Sequence, residues 1–342
     1  MAHHRVIGPD DPKYPAIRRR LIWTWLKTIL GYLMMGGLIV GALKLFNLHI
    51  GVIYGFGLIW VLLPVVMWWY CAKIALYMAK AKPADPGIPE HARLIKLVHE
   101  VWLETGLKYE PPVYVADDPS PNAFCTGPIP SRCVVAATRG LFLIGATDNE
   151  IKAVFAHEFG HDKHMDVAIN SLIGVLSNIF FLIVNAGVDA WLKTIRLFAP
   201  RSKKERALPG ILGGVVFYAV FWLVGQLTRL IQLFVVRSRE SAADAEGALF
   251  TGRPCDLVNA LEKLVKYVET HRPTGHRAEM WRGLRCLSTI DPLFDAVDPD
   301  PKPKGVFGWI KYWWKYLQLT HPPVPERVAA LEKMNGGTCP RD

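Results

Sequence analysis

The stretch AHEFGHDKHMD, at residues 156–166, contains two histidines four residues apart, with a glutamate directly after the first. On a helix of about 3.6 residues per turn, His157 and His161 share one face and can bind the same metal ion. Glu158 is rotated by about 100° from His157, so its carboxylate can act as a base on a metal-bound water. This HExxH pattern is typical of zinc peptidases, in which a third protein ligand leaves the fourth position open.

The third ligand does not come from a simple extension of this motif. In the longer pattern HExxHxxGxxH, glycine and histidine are required where this chain has His164 and Val167. His164 lies about 10 Å along the helix axis from His157, too far for both side chains to bind one ion. We therefore expect His164 to be an exposed polar residue.

A glutamate from a second helix is the other common third ligand. The chain has no acidic residue from 167 to 188, which excludes the start of the next segment. Glu240 is the better candidate, because Asp244 follows one turn later on the same helical face and can orient a ligand histidine. Asp189 and Glu205, at the ends of apolar segments, are the alternatives.

Four apolar segments surround these candidate ligands in the sequence. Each is long enough to cross a hydrocarbon core of roughly 30 Å as a helix. We predict that the first pair forms a transmembrane hairpin and that the second pair forms a membrane-embedded hairpin inserted after the HExxH helix. The loop between the second pair is basic. The second hairpin therefore either spans the membrane against the positive-inside tendency or is re-entrant. The segments are 21–45, 50–72, 167–188 and 207–228.

Composition and charge point to the same environment. The chain is 51% hydrophobic and carries a formal net charge of +10, with its basic residues beside apolar segments. No nucleic-acid-binding module is present, which excludes nucleic acid and favours the lipid bilayer as partner. Residues 1–20 are basic and lack the apolar core of a signal peptide, and the FNLH link has no lysine or arginine. We therefore predict a multi-pass protein of the cell membrane with its active site on the cytoplasmic side.

Local patterns predict the elements that hold the motif. HARLIKLVHEVWLETG has helical periodicity, while PPVYVAD, NAFCTG and RCVVAATRGLF indicate strands. Thr147 and Glu150 form a capping-box pattern at the start of the HExxH helix. The six cysteines show no CxxC pair, and in a reducing compartment we expect them all to be free thiols.

Five stretches together resemble the HtpX and CAAX-prenyl-protease family of membrane zinc metallopeptidases, and the closer resemblance is to HtpX. They are DDPSPNAFCTG, VAATRGLF, AHEFGHDKHMD, RESAADAEGA and THPPVPERVAAL, spread over residues 117–331. The resemblance implies one Zn²⁺ per chain. It also implies the site residues: His157, His161 and Glu240 as metal ligands, Glu158 as catalytic base, and Asp244 as support for a ligand.

The predicted fold class is α+β and mostly α, a zincin-like metallopeptidase domain interrupted by the second hairpin. A cytoplasmic basic tail and a transmembrane hairpin precede the first part of the metallopeptidase domain. A membrane-embedded hairpin then separates this part from the second part. In order, the boundaries are 1–20, 21–79, 80–166, 167–235 and 236–342.

Two further sites are predicted from residue type. His321, before two prolines, is a candidate for stabilising the tetrahedral oxyanion, and a turn or surface role is the alternative. An extended substrate would pair with an exposed strand edge, either at Asn122, Ala123 and Phe124 or at 132–138.

The function that follows is an integral membrane zinc endopeptidase that hydrolyses polypeptides. The HtpX resemblance implies that its substrates are misfolded or damaged membrane and cytosolic proteins, cleared in quality control under stress. A CAAX-type prenyl-peptide endoprotease is one alternative, although it needs more spans than this chain offers. A nonenzymatic zinc-containing membrane adaptor is the other. The oligomeric state and the physiological substrates do not follow from the sequence.

Overall fold

A computed structural model describes residues 11–45, 65–66, 68–166, 204–271, 289, 305–317, 319 and 321–341. Within these ranges the protein is mostly helical, with one small sheet, as the α+β prediction requires. The helices are α1 (Tyr14–Leu45), α2 (Cys71–Met78), α3 (Pro89–Thr105), α4 (Asp148–Lys163), α5 (Lys204–Thr251), α6 (Pro254–Thr270), α7 (Gly305–Leu317) and α8 (Val324–Asn335). The strands are β1 (Lys82–Pro83), β2 (Val113–Ala116), β3 (Ala123–Thr126) and β4 (Val134–Thr138).

The sheet has the strand order β1-β2-β4-β3. Strand β4 pairs with β2 in parallel and with β3 antiparallel, with Phe124 opposite Ala136. Strand β3 is therefore an edge of the sheet, and it packs against α4. The alternative substrate edge at 132–138 is wrong, because β4 lies between two other strands and its backbone groups are already paired.

Helix α4 carries the HExxH motif and begins with the predicted capping box. The Thr147 side chain accepts a hydrogen bond from the Glu150 backbone N–H, and the Glu150 carboxylate accepts one from the Thr147 N–H. These two bonds satisfy donors that a helix start leaves without partners. The helix is buried through the whole run from Val154 to Gly160, so the motif lies inside the protein.

Helices α4 and α5 pack against each other at glycine contacts. A Cβ added at Gly160 would lie 3.0 Å from backbone atoms of Ala243. A Cβ added at Gly247 would lie 3.0 Å from the His157 N atom. The absence of these two side chains lets the two backbones approach closely, and this approach brings residues of α5 to the motif on α4.

The main core joins the sheet to α3, α4, α5, α6 and α8. Leu94 and Val98 of α3 and Phe155 and Phe159 of α4 are fully or almost fully buried in one cluster. Helix α3 starts with proline at its first position and ends at Gly106, whose φ of 67° is a left-handed conformation that favours glycine. This packing fixes α4 between the sheet and the C-terminal helices.

The predicted membrane segments are covered only in part. Segment 167–188 and most of 50–72 lie outside the described residues. Segment 207–228 is part of α5, which continues without a break into the RESAADAEGA stretch. In the part of the chain that the structure describes, no helix is both long enough and apolar enough to cross a membrane.

The cysteine prediction is wrong for one pair. Cys255 and Cys339 form a disulfide, linking the start of α6 to the C-terminal segment across 84 residues of sequence. Cys71, Cys125 and Cys133 are free, as predicted, and Cys286 lies outside the described residues. Sequence spacing could not find this pair, because the two cysteines meet only when α8 packs on α6.

Candidate metal centre

Three side chains from two helices meet at one point between α4 and α5. The Nε2 atoms of His157 and His161 lie 3.2 Å apart. Glu240 places Oε1 3.4 Å from His161 Nε2 and Oε2 3.6 Å from His157 Nε2. All three predicted ligands are therefore brought together, as a group that could hold a metal ion.

The spacing of these atoms can be compared with that of a zinc site. Ligands about 2.0–2.1 Å from a tetrahedral Zn²⁺ lie about 3.3–3.4 Å from one another. The two histidine nitrogens lie 3.2 Å apart, Glu240 Oε1 lies 3.4 Å from His161 Nε2, and Glu240 Oε2 lies 3.6 Å from His157 Nε2, so each separation is close to that value. Glu240 Oε2 is also buried, with no hydrogen-bond partner among the described residues. Two imidazoles and a carboxylate with an unsatisfied buried oxygen fit a divalent cation.

Each histidine is backed by an aspartate through its other ring nitrogen. His157 Nδ1 lies 2.9 Å from Asp244 Oδ1, in agreement with the role predicted for Asp244. The Asp244 carboxylate accepts hydrogen bonds on both oxygens from Arg327, at 3.0 Å from Nε and 2.7 Å from Nη2. The charge of Arg327 and the contact with His157 offset the burial of Asp244 and hold its pKa well below the usual range. Arg327, Asp244 and His157 thus form a fully buried chain of contacts that supports the ligand histidine.

A second chain of contacts, also from an arginine through an aspartate, supports His161. Its Nδ1 lies 2.7 Å from Asp166 Oδ2, and Arg239 Nε donates to Asp166 Oδ1 at 2.5 Å. The Arg239 guanidinium also stacks over the Trp25 ring, 4.2 Å from its centroid. Asp166 reaches back because α4 ends at Lys163 and Met165 adopts a φ of 54°, which reverses the chain.

The sequence prediction missed Asp166, Arg239 and Arg327. Asp166 is the last residue of the stretch AHEFGHDKHMD, and its position five residues after His161 was the sequence feature that could have indicated the contact. Its contact depends on a left-handed residue that propensities do not favour at methionine. The two arginines had no local signal, because each reaches its aspartate across 73 or more residues of sequence.

Glu158 is held by two hydrogen bonds from outside α4. Thr289 Oγ1 donates to Oε1 at 2.9 Å, and the Cys125 backbone N–H of β3 donates to Oε2 at 3.2 Å. Burial raises the pKa of Glu158 to about 7, although the neighbouring His161 and these hydrogen bonds oppose that rise. A carboxyl group with this pKa can take up and release a proton near neutral pH.

The other titratable groups at the centre are coupled to one another. Burial raises the pKa of Glu240 to about 7, against the opposing charge of His161. Burial lowers the pKa of His157 to about 4, although Asp244 opposes that fall. For His161, burial alone would lower the pKa, but Glu240 and Asp166 raise it to about 9. The carboxylates of Glu240 and Asp166 close to the buried His161 favour the binding of a cation at the candidate metal centre.

Two further histidines, His321 and His164, are largely buried close to the ligand helices. His321 is buried, and its Nε2 lies 3.8 Å from Glu240 Oε1. His164 is not the exposed residue expected, because its side chain is only 12% exposed and lies 3.4 Å from Glu246. It also meets the Trp25 ring edge-on, so tertiary contacts cover it. His321 is thus close enough to act on a group bound at the centre, whereas His164 faces another helix surface.

The predicted substrate edge faces Glu158 but is buried. Asn122, Ala123 and Phe124 are each at most 2% exposed. The Ala123 carbonyl lies 3.4 Å from Thr289 Oγ1, which shares its one proton between this oxygen and Glu158, and the next outward group, Cys125 N–H, donates to Glu158. The outward backbone groups of β3 therefore point at the candidate catalytic glutamate, and Thr289 lies directly on this edge.

The fold and the site define a class of protein. A mostly helical α+β domain places two histidines of an HExxH helix and a glutamate of a second helix around one point, beside a buried glutamate. That is the arrangement of a metal-dependent peptidase. The model of peptidase family M48 matches residues 89–335, and the chain belongs to this family.

The curated relatives confirm the resemblance to HtpX. The chain is 33% identical over 268 residues to a protease HtpX homolog of Syntrophobacter fumaroxidans, covering 78% of this chain and 84% of that protein. It is 30% identical over 312 residues to one of Thermococcus sibiricus, covering 91% and 96%. The crystal structure of S. mikatae Ste24p aligns with a TM-score of 0.48 at 21% identity, covering 92% of this chain and 66% of that one.

Proposed function

We propose that this protein is a membrane-bound zinc endopeptidase that holds one Zn²⁺ and cleaves misfolded or damaged membrane and cytosolic proteins. The observation that carries the proposal is the cluster of His157 Nε2, His161 Nε2 and the Glu240 carboxylate, in which the two nitrogens lie 3.2 Å apart and each lies within 3.6 Å of one carboxylate oxygen. Membership of peptidase family M48 supports the reaction class. Three protein ligands match a catalytic zinc site better than a closed structural one, which would need a fourth.

Each group at the centre has a distinct part in peptide hydrolysis. Zinc bound by the three ligands would supply a water of lowered pKa and a Lewis acid for the scissile carbonyl. Glu158 takes the proton of the attacking water and delivers it to the leaving amine, a task suited to its pKa of about 7. Asp244 and Asp166 hold the ligand histidines in the tautomer that leaves Nε2 free. His321, whose Nε2 lies 3.8 Å from Glu240 Oε1, would donate a hydrogen bond to the oxyanion of the tetrahedral intermediate.

The substrate class is proposed from the position of β3. Its outward backbone groups face Glu158, so an extended polypeptide that pairs with this edge would bring a peptide bond to the base. Main-chain pairing provides affinity with little sequence selectivity. Low selectivity suits the clearance of damaged proteins. For an extended polypeptide to pair there, Thr289 must leave the Ala123 carbonyl and Glu158 must release the Cys125 N–H.

The membrane location is proposed from the apolar segments of the sequence and from α1. Segments 50–72, 167–188 and 207–228 contain no charged residue. Helix α1 exposes Leu33 at 69% and Ile29 at 53%, which water would disfavour and lipid would cover. We place the active site on the cytoplasmic side, where basic flanking residues concentrate.

One experiment measures metal content and proteolysis together on purified full-length protein in detergent. Wild type should contain one zinc per chain and cleave casein. Glu158→Gln should keep zinc but lose activity by about 10²–10⁴-fold, because only the base is removed. Glu240→Gln should lose both zinc and activity. Glu269→Gln, at an exposed position on α6, is the matched control and should change neither.

Each alternative predicts a different result. An active Glu158→Gln enzyme, or full zinc affinity in Glu240→Gln, would contradict the assignment of these two glutamates. Cleavage of a prenylated CAAX peptide without cleavage of casein would indicate a prenyl-peptide endoprotease instead. One zinc per chain with no cleavage of either substrate would indicate a nonenzymatic adaptor.

A further inference from the structure

A basic cavity lies between α1, α5 and α8, away from the candidate metal centre. Its volume is about 350 Å³. Helix α1 contributes Arg19, Arg20 and Lys27, and α8 contributes Lys333 from the opposite wall. Arg20 and Lys27 are seven residues apart, so they lie two turns apart on one face of α1, with Trp23 between them.

These four cations have no carboxylate partner in the part of the chain that the structure describes. Among the described residues, no acidic side chain lines the cavity and no ion pair joins any of the four cations to a carboxylate. Arg20 Nε is buried and has no hydrogen-bond partner in the part of the chain that the structure describes. Asp244 acts on Arg20 electrostatically, but both Asp244 oxygens are already bound by Arg327. Four cations that line one cavity, with no acidic side chain in the described lining, favour an anion there.

The surroundings of the cavity indicate which anion it takes. On the same helix, Ile22, Leu26 and Ile29 are 51%, 50% and 53% exposed and begin an apolar surface beside the basic residues. Trp23, at the cavity, is 58% exposed. Cations and tryptophan at the start of an exposed apolar helix match the level of lipid headgroups in a bilayer. A lipid fits both features at once, because its phosphate meets the cations and its acyl chains cover the apolar surface.

We infer that this cavity binds the phosphate-bearing headgroup of an anionic phospholipid. The inference rests on the proposed membrane location but not on zinc or on proteolysis. Arg20 and Lys27 contact the phosphate from α1, and Lys333 closes on it from α8. An aqueous phosphate would gain only the charge contacts, whereas the lipid also removes apolar surface of α1 from water.

The site is connected to the candidate metal centre through two of its walls. Ser241, on the α5 wall, directly follows Glu240. Ala330, on the α8 wall, lies one turn beyond Arg327, which holds Asp244. A bound headgroup joins α1, α5 and α8, so it also restrains the two helices that carry Glu240 and Arg327.

The test uses delipidated full-length protein in a neutral detergent. Short-chain phosphatidylglycerol, short-chain phosphatidylcholine and inorganic phosphate are titrated separately, with binding followed by calorimetry and by the shift in Tm. Wild type should bind phosphatidylglycerol more tightly than either other probe. Lys27→Gln/Lys333→Gln should weaken this binding by about 25-fold, at about fivefold per basic residue removed. Both side chains are exposed, so the variant should fold.

The matched control removes the same charge outside the cavity. Arg18→Gln/Lys266→Gln changes two exposed basic residues that do not line it and should bind like wild type. Equal weakening in both double variants would overturn the site, as would wild-type affinity in Lys27→Gln/Lys333→Gln. Inorganic phosphate binding as tightly as phosphatidylglycerol would replace the lipid by a soluble anion. Flotation with phosphatidylcholine vesicles tests the membrane location separately, since that vesicle association does not require the cavity.

Discussion

The two aspartates behind the ligand histidines should control metal affinity, and replacing each by asparagine tests this. Asp244→Asn and Asp166→Asn keep side-chain size but remove the charge that orients His157 and His161 through Nδ1. Loss of such a partner costs about 10–100-fold in metal affinity, which corresponds to about 1.4–2.7 kcal/mol. We expect both variants to fall in this range.

Both variants should also lose stability, because each leaves a buried arginine without its carboxylate. In Asp244→Asn, Arg327 is 1% exposed and loses its bidentate carboxylate, and breaking a buried pair costs about 3–5 kcal/mol. In Asp166→Asn, Arg239 is 0% exposed and loses its carboxylate in the same way, while it keeps its stacking on Trp25. That stacking is worth up to about 2 kcal/mol. Arg327 in turn keeps its hydrogen bond from Nη1 to the Thr289 carbonyl, so both variants should lose stability to a similar extent.

The assay is competition for zinc with a chromophoric chelator, alongside chemical unfolding of the zinc-free protein in detergent. Measuring both separates weakened ligation from general unfolding. Asp256→Asn, on α6 away from the centre, is the control and should keep wild-type zinc affinity. Less than a twofold change in zinc Kd for both Asp166→Asn and Asp244→Asn would refute the reasoning, because it would show that the Nδ1 contacts do not orient the ligands.

Three further predictions follow from particular contacts. Gly247→Ala places a Cβ 3.0 Å from His157 N and should destabilise the fold by about 1–3 kcal/mol while weakening zinc binding; Gly337→Ala, with nothing within 4 Å, should change neither. For Glu246, burial alone would raise the pKa, but His164 and Lys163 lower it to about 2 from 4.5. Its contribution to folding, on the order of 2 kcal/mol, is therefore fully present above pH 4.5 and lost as pH falls towards 2. Unfolding of Glu246→Gln across this range should show a weaker pH dependence than wild type, and an unchanged profile would contradict the assigned contacts. Reporter fusions after Lys82 and after Lys204 should test the two hairpins independently. A cytoplasmic signal is expected after Lys82, and a cytoplasmic signal after Lys204 as well would exclude four spans.

The sequence by itself was sufficient to predict which residues lie side by side on one helix, because helical periodicity brings them together. His157 and His161 lie one turn apart, and the Thr147–Glu150 capping box spans one turn, so both follow from local geometry. Glu240 was the better of three candidates because of the Asp244 pattern, and the family resemblance implied it as a ligand; in the structure it lies within 3.6 Å of both histidines. The mostly helical α+β class also followed, because the periodic segments are long and the strands short.

The tertiary structure decided the contacts that depend on how helices pack. Arg327 and Thr289 reach the centre across 83 and 131 residues, respectively, so no local pattern could join them to Asp244 and Glu158. The same holds for the basic cavity, whose Arg20 and Lys333 come from opposite ends of the chain. Periodicity determines which side chains share a face of one helix. Which faces then meet depends on long-range packing, here on the close approach of α4 and α5 that Gly160 and Gly247 permit.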